Sequence, residues 1–204
     1  MASLDYKTWK KKGIYVGLSS ILIVCTAFIY TYLAKQDSGF DPVEALPYEA
    51  LMLSEDSGSL DLHTADRKDI QTFLTSYKDF KFNPFILNLS DDCRFHGASI
   101  IDYEFTKIAV VKFQNIATSR FFFHFTFAGS IKDLTPGKVE KEGSFNFESY
   151  SSEEANFIIW QQDPKTLSML LGYVPTAELV QIALRSMEDL GKGKLGGETE
   201  DSAH

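Results

Sequence analysis

Cysteine is nearly absent from this chain, which has only Cys25 and Cys93 among its 204 residues. Cys25 sits inside a long apolar run, so Cys93 stands alone outside it and no internal disulfide can brace the rest, even in an oxidising compartment. A disulfide-stapled miniature fold is excluded. Motifs that carry chemistry are missing too. No Cys-x-x-Cys or Cys-x-x-Cys-His string exists to hold zinc or haem, and no Gly-x-Ser-x-Gly string exists to expose a serine nucleophile. The glycines of 191–197 follow a helix instead of opening one, so they make no phosphate cradle. Basic charge is also short: 20 Lys and Arg stand against 28 Asp and Glu, a net charge of −8. Nucleic acid and anionic lipid head groups are poor partners for such a surface.

Weaker constellations need a physical test. Cys93, His96 and His124 belong to neighbouring strand-like segments, but Cys93 and His96 are three apart. Strand alternation sends them to opposite faces unless a bulge intervenes. The reading is a buried cysteine and hydrogen-bonded or surface histidines, with no metal and no cofactor. Ser54-Glu55-Asp56 and Asp91-Asp92 lie in loop settings and read as helix caps or solvated faces. No nucleophile, base and oxyanion donor converge anywhere, so the expectation is a protein that is not an enzyme.

What the chain does have is one long uncharged run. Residues 13–34 carry no charged side chain, and about 20 apolar residues in a helix suffice to cross a bilayer core. Tyr15, Tyr30 and Tyr32 lie toward its ends, where amphipathic rings favour the lipid–water boundary. Lys7, Lys10, Lys11 and Lys12 precede it; Lys35, Asp37 and Asp41 follow. That asymmetry predicts a cytoplasmic N-terminus over 1–12, an uncleaved membrane helix over 13–34 and a C-terminal part across the membrane. The run is too long for a signal peptide, and Tyr32 spoils the small-x-small exit. Val24 before Cys25 argues against a lipoprotein signal. Gly13, Gly17, Ser19 and Ser20 give the helix a small-residue patch suited to close packing on other membrane helices.

The remainder divides by pattern. Residues 35–57, with Pro42 and Pro47, read as a polar stalk with one helical turn near Val43 to Leu53. Residues 58–190 are expected to form one α+β domain, an antiparallel sheet with two packed helices, and 191–204 a disordered acidic tail. Residues 59–63 alternate like a strand. Thr64 or Asp66 caps a helix whose apolar face is Ile70, Phe73, Leu74 and Tyr77, and Asn83-Pro84 ends that unit. Residues 85–89, 94–103, 107–113 and 120–127 read as strands, spaced for consecutive antiparallel pairing. In the last, Phe121, Phe123, Phe125 and Phe127 point one way and Phe122, His124 and Thr126 the other, so both faces must be covered. Residues 128–144 read as a solvated loop or loose hairpin, 156–161 and 166–173 as a strand pair turning at 162–165. The last helix spans 175–190, with Leu179, Ile182, Ala183 and Met187 on one face. Seventeen phenylalanines supply the apolar area a core without disulfides needs.

Some of these residues also form a familiar order. An acidic cap and a helix with an aromatic-Leu pair come first (Asp66, Ile70, Phe73, Leu74). A strand bearing aromatic-x-Gly-Ala follows (Phe95, Gly97, Ala98), then Ala-x-x-x-aromatic (Ala109, Phe113) and a strand ending in aromatics (121–127). Asn-x-x-x-Trp (Asn156, Trp160) and Gly-x-x-Pro-x-x-Glu-Leu (Gly172, Pro175, Glu178, Leu179) close the series. The series resembles the periplasmic, sensor-like half of membrane-bound anti-sigma factors, the transmembrane transcriptional regulators of Gram-negative bacteria. The resemblance implies a fold and a location at the bacterial inner membrane, with the C-terminal domain periplasmic. It does not imply sigma-factor sequestration, because the family's cytoplasmic zinc-binding module has no counterpart in 1–12.

The functional expectation is therefore protein–protein interaction by a single-pass inner-membrane protein, as an accessory or scaffolding subunit of a larger complex. The alternative is an anti-sigma-like, envelope-sensing regulator that acts through a partner. Candidate partner-binding residues are Phe121, Phe123, Phe125 and Trp160 in the domain, with Gly13, Gly17 and Ser20 in the anchor.

Overall fold

The computed structural model describes residues 41–55, 60–103, 106–152 and 155–195. The expected anchor over 13–34, with Gly13, Gly17 and Ser20, lies outside the described residues. Among the described residues, no helix is long and apolar enough to cross a membrane.

Among the described residues the architecture is α+β: one eight-stranded antiparallel sheet and three helices. In chain order these are α1 (Pro42–Glu55), β1 (Leu62–His63), α2 (Arg67–Ser76), β2 (Cys93–Tyr103), β3 (Thr106–Asn115) and β4 (Phe121–Ala128). A 3-10 turn (Ile131–Asp133) then leads to β5 (Lys138–Glu142), β6 (Phe145–Ser151), β7 (Asn156–Asp163), β8 (Thr166–Gly172) and α3 (Thr176–Leu195). The sheet order is β1-β2-β3-β4-β8-β7-β6-β5. The chain meanders from one edge to the middle, jumps to the far edge, and meanders back until β8 closes on β4. Two meanders thus meet at a central seam, which runs from Phe122 opposite Gly172 to Ala128 opposite Thr166.

Alternation explains the layers. One face carries Ala109, Val111, Phe113, Phe122, Ile158, Trp160 and Leu170, and α2 and α3 cover it with Ile70, Leu74, Leu179, Val180 and Ala183. The other face carries Ile108, Val110, Phe123, Phe125, Phe127, Met169 and Leu171, all buried. Over it lies α1, whose Leu53 carbonyl accepts a hydrogen bond from Lys112 Nζ on β3 at 2.7 Å. The expectation that both faces of 121–127 are covered holds, since every residue of 122–127 is buried. Fully burying each such ring is worth about 1.5–3 kcal/mol, so this strand contributes heavily to the core.

Four segments depart from the sequence reading. Residues 41–55, read as stalk with one helical turn near Val43 to Leu53, form a full helix, α1, and belong to the same compact unit as the sheet. Pro47 inside that helix removes one backbone donor and pointed away from helix. Asp41 nevertheless caps the start through the Val43 amide (2.9 Å), and Leu46, Ala50 and Leu53 form a buried stripe. Residues 85–89 are not a strand; their backbone is tied by side chains from three other elements. Arg67 donates to the Ile86 carbonyl (3.1 Å), Thr126 to that of Phe85 (3.4 Å) and Ser186 to that of Asn88 (2.8 Å). The segment is a strap between helices and sheet, with Ile86 and Leu87 buried. Residues 128–144 contain a real strand, β5, and its partner β6 was not foreseen. Helix α3 runs on to Leu195, through the first residues assigned to the tail. The rest of that tail lies outside the described residues.

The short β1 has its own cause. The Asp61 carboxylate accepts from Ser99 Oγ (2.6 Å) and the Ile100 amide (2.9 Å), so a side chain replaces the ladder there. Gly97 sits at φ +148°, and a Cβ on it would lie 1.9 Å from the Leu62 carbonyl oxygen. Only glycine lets β1 approach this closely. At α2, Asp66 caps through the Lys68 amide, and the Thr64 hydroxyl accepts from the Asp66 amide and bonds Asp69, so both cap candidates take part.

Candidate functional site

The sheet is not closed everywhere. Strands β5 and β6 pair fully, from Lys138 opposite Ser149 to Glu142 opposite Phe145, around a turn at Gly143, whose φ is +61°. Between β6 and β7 the ladder runs from Ser151 opposite Asn156 to Glu148 opposite Ile159 and then stops. Continued pairing would have set Phe147 against Trp160, Asn146 against Gln161 and Phe145 against Gln162. Instead the strands part like a fork.

A shift in register explains the parting. Strand β7 changes register against β8 between Gln161 and Asp163, and a bulge bends its strand and tightens the twist. Gln161 fastens the bent end. Its amide nitrogen reaches the carbonyls of Asp163 (2.6 Å), Thr166 (3.1 Å) and Gly129 (3.2 Å), while its oxygen accepts from the Ile131 amide (3.0 Å). The paired end of β6 is fastened equally well. Glu148 accepts from the Tyr150 hydroxyl (2.7 Å) and the Gly137 amide (3.0 Å), and the Tyr150 ring stacks on Phe157 at 4.9 Å. Burial first, and the neighbouring carboxylate second, push the Tyr150 hydroxyl up from its ordinary pKa. It stays protonated and keeps donating.

The fork opens into a cleft of about 840 Å3, within the size range of ordinary ligand sites. Its apolar lining is Ile131, Val139, Leu184 and Met187, with the buried rings of Phe145, Phe147 and Trp160. The polar lining is Glu142, Ser144, Asn146, Glu148, Gln161 and Gln162; among the described residues the lining holds two carboxylates and no cation. Val139 is 75% exposed, the highest value of any large apolar side chain among the described residues.

Behind the Trp160 ring lies His124. Its ring stacks on Trp160 (5.9 Å, 17°) and meets the Phe85 ring edge-on (5.8 Å). Burial pushes its pKa down to about 3, so the imidazole is neutral at ordinary pH. Neither ring nitrogen has a hydrogen-bond partner, nor does Ser168 Oγ on the same face of the neighbouring strand. Each such orphan costs about 1–3 kcal/mol. His124 is sealed from solvent and reaches no substrate; it backs Trp160 instead.

The residues singled out from sequence fall apart in space. Phe123 and Phe125 are wholly buried beneath the α1 face, and Trp160 is 2% exposed. Of that set only Phe121 meets solvent appreciably, and Lys112 Nζ sits 4.6 Å above its ring. Phe123, Phe125 and Trp160 are therefore core, a correction forced by the coverage of both faces of the sheet; Trp160 also borders the cleft. His96 Nε2 bonds Gln114 Oε1 (3.0 Å), a bulge does separate Phe95 from Gly97, and burial raises the Cys93 thiol pKa. Among the described residues no group of His, Cys, Asp and Glu is placed to hold a metal ion. Sequence reasoning passed over Phe145, Phe147 and Val139, although the alternation Phe145-x-Phe147 beside an exposed-looking valine was a usable signal.

The motif residues occupy framing positions. Gly97 admits β1, as above. Asn156 Nδ2 donates to the Val174 carbonyl (2.8 Å), tying β7 to the turn before α3. A Cβ on Gly172 would lie 2.7 Å from the Phe122 ring. Leu179 is fully buried, and Glu178 lies 3.9 Å from Arg120. No family model, curated protein or solved structure matches the chain.

Proposed function

We propose that this is a non-enzymatic, single-pass inner-membrane protein whose α+β domain binds another protein, as an accessory subunit of a membrane complex. The observation that carries the reading is the open fork between β6 and β7. The ladder ends there at Glu148 and Ile159, beside a cleft bordered by Ile131, Leu184, Met187 and the 75% exposed Val139, and apolar groups reaching solvent within a polar lining suit a protein partner. The uncharged run at 13–34, with its lysines on one side, supports the membrane tether and the orientation. The test is a mild-detergent pull-down of the tagged full-length chain with stoichiometry by mass spectrometry. Recovery of one membrane complex at fixed ratio is the expected outcome, and recovery of the chain alone overturns the reading.

A regulatory reading, an anti-sigma-like envelope sensor acting through a partner, draws on the motif series. Asn156, Gly172 and Leu179 meet at one joint of β7, β8 and α3, and Gly97 makes a second with β1, as residues shared across a fold family tend to do. It predicts association that depends on an envelope signal and stays below fixed ratio.

A further inference from the structure

We infer that β5 pairs along its outer edge with β5 of a second copy of this chain, antiparallel and centred on Val139, so that two sheets join across a twofold axis. This goes beyond the partner reading above and does not depend on it. Strand order places β5 last in the sheet, with no described strand beyond it. The hairpin fixes which of its backbone groups are free. Gly143 and Ser144 form a two-residue loop with positive φ at Gly143 and not at Ser144. That is the glycine-first turn, which closes a hairpin on a hydrogen-bonded pair, here Glu142 with Phe145. Bonded and non-bonded pairs alternate along an antiparallel ladder. Glu140 and Lys138 therefore bond to β6 as well, opposite Phe147 and Ser149, while the N–H and C=O groups of Val139 and Lys141 point away from β6 to the open edge.

Charge selects the occupant and the register. In a twofold contact the residue on the axis meets its own copy, and like charges directly opposite are destabilising. Centred on Glu140, that carboxylate would face itself. Centred on Lys141, the lysine would face itself and Glu140 would face Glu142. Centred on Val139, the 75% exposed valine meets its copy, and Lys138 of each chain lies opposite Glu140 of the other. Within one chain Lys138 and Glu140 already share a face, with Nζ 3.2 Å from the carboxylate, so the pairing closes four alternating charges into a ring. The Ser149 hydroxyl, which donates to Glu140, and Lys138 beside it hold that carboxyl below its usual range, which keeps it ionised. An edge of mixed charge turns away most strands; this one matches its own copy. The net charge of −8 repels two copies at a distance, but salt screens that beyond about 10 Å at roughly 0.1 M, whereas the ring's charges are in contact.

The test uses the full-length chain in mild detergent. Under gentle oxidation Val139→Cys should be trapped as a disulfide dimer, because bonded residues opposite each other lie about 5.5 Å apart. Lys141→Cys should not, since this register offsets its two copies by four residues, about 14 Å. The wild-type chain, with Cys25 and Cys93, gives the background. Equal trapping at both positions, or none above background, overturns the inference. Trapping repeated in cells that captures another protein in place of a second copy does so too. Sedimentation velocity over a range of concentrations then follows the uncrosslinked chain. Lys138→Glu should weaken the dimer about tenfold or more, and combining it with Glu140→Lys should restore most of that loss. Val139→Pro should abolish the dimer yet leave urea unfolding of the chain nearly unchanged, because the N–H it removes faces the open edge. A chain that stays monomeric throughout, or a dimer indifferent to Lys138→Glu and Val139→Pro, sinks the proposal.

Discussion

The β4–β8 seam and the β6–β7 fork are built from the same materials and end in opposite states. Both set a strand with several phenylalanines, β4 or β6, in antiparallel register beside an aliphatic-rich one, β8 or β7. At the seam the ladder is unbroken, and helices cover both faces of a strand whose residues 122–127 are all buried. At the fork the ladder stops after four pairs and the aromatics line a cleft. The difference lies in what surrounds each pair. The seam is flanked by strands on both sides and capped by α1 and α3, so any gap there would strand buried polar groups. The fork lies one strand from the sheet edge, beside a bulge, where unpaired groups can reach water. Aromatic content alone therefore does not say where a ladder continues and where it ends.

Several perturbations would break or sharpen that contrast. The largest effect is expected at the seam. Phe122→Ala should cost about 3–5 kcal/mol of unfolding free energy, because the ring is fully buried against Phe113. Leu184→Ala, at the cleft wall, should cost only about 1 kcal/mol. Urea melts of the two variants give the ratio, and equal losses would erase the distinction drawn here.

Acid should act next, again from the seam. His124 has a folded-state pKa of about 3 against an ordinary 6.5. The unfolded chain thus binds its proton first. The stability this group contributes is complete above pH 6.5 and falls as the pH drops toward 3, with roughly 3 kcal/mol gone by pH 4. His124→Leu should flatten that slope in melts at pH 7 and pH 4. An unchanged slope would mean that the imidazole is not sealed.

A smaller loss is expected at Gly97. A side chain there collides with the Leu62 carbonyl and must adopt φ +148°, so Gly97→Ala should cost about 2 kcal/mol. It should also speed amide exchange in β1 and at Ile100 before anything happens at the fork. The smallest effect is at Arg120 and Glu178, 3.9 Å apart and both partly exposed. Arg120→Met should move stability by less than about 0.5 kcal/mol. A larger change would promote this pair to a structural joint between β4 and α3.

Much of the fold was legible because it depends on local period. The strands at 94–103, 107–113, 120–127 and 156–161 announce themselves by alternation, and α2 and α3 by spacing of apolar residues and capping chemistry. The illegible parts depend on distant groups. Residues 85–89 have the composition of a strand, but their carbonyls are claimed by Arg67, Thr126 and Ser186. Helix α1 contains a proline and forms because the sheet offers a face for Leu46, Ala50 and Leu53. The cleft was legible only in part. Trp160 was named, but its neighbours Phe145 and Phe147 come from a strand whose existence rests on pairing with β5.

The sequence by itself determined the class of this protein: an α+β domain without disulfides, acidic, rich in phenylalanine and preceded by an uncharged run long enough for a membrane. Those properties follow from composition and periodicity, which need no partner elsewhere in the chain. Tertiary structure alone decided where each aromatic is buried and which of the buried rings border a cleft. Alternation assigns Phe123 and Phe125 to a face, but only the assembled fold, with α1 bonded to Lys112 on that face, buries it. It likewise places Phe145 and Phe147 on one side of a strand, but only packing against Trp160 and the rest of the core buries them there, beside the point where the β6–β7 ladder ends.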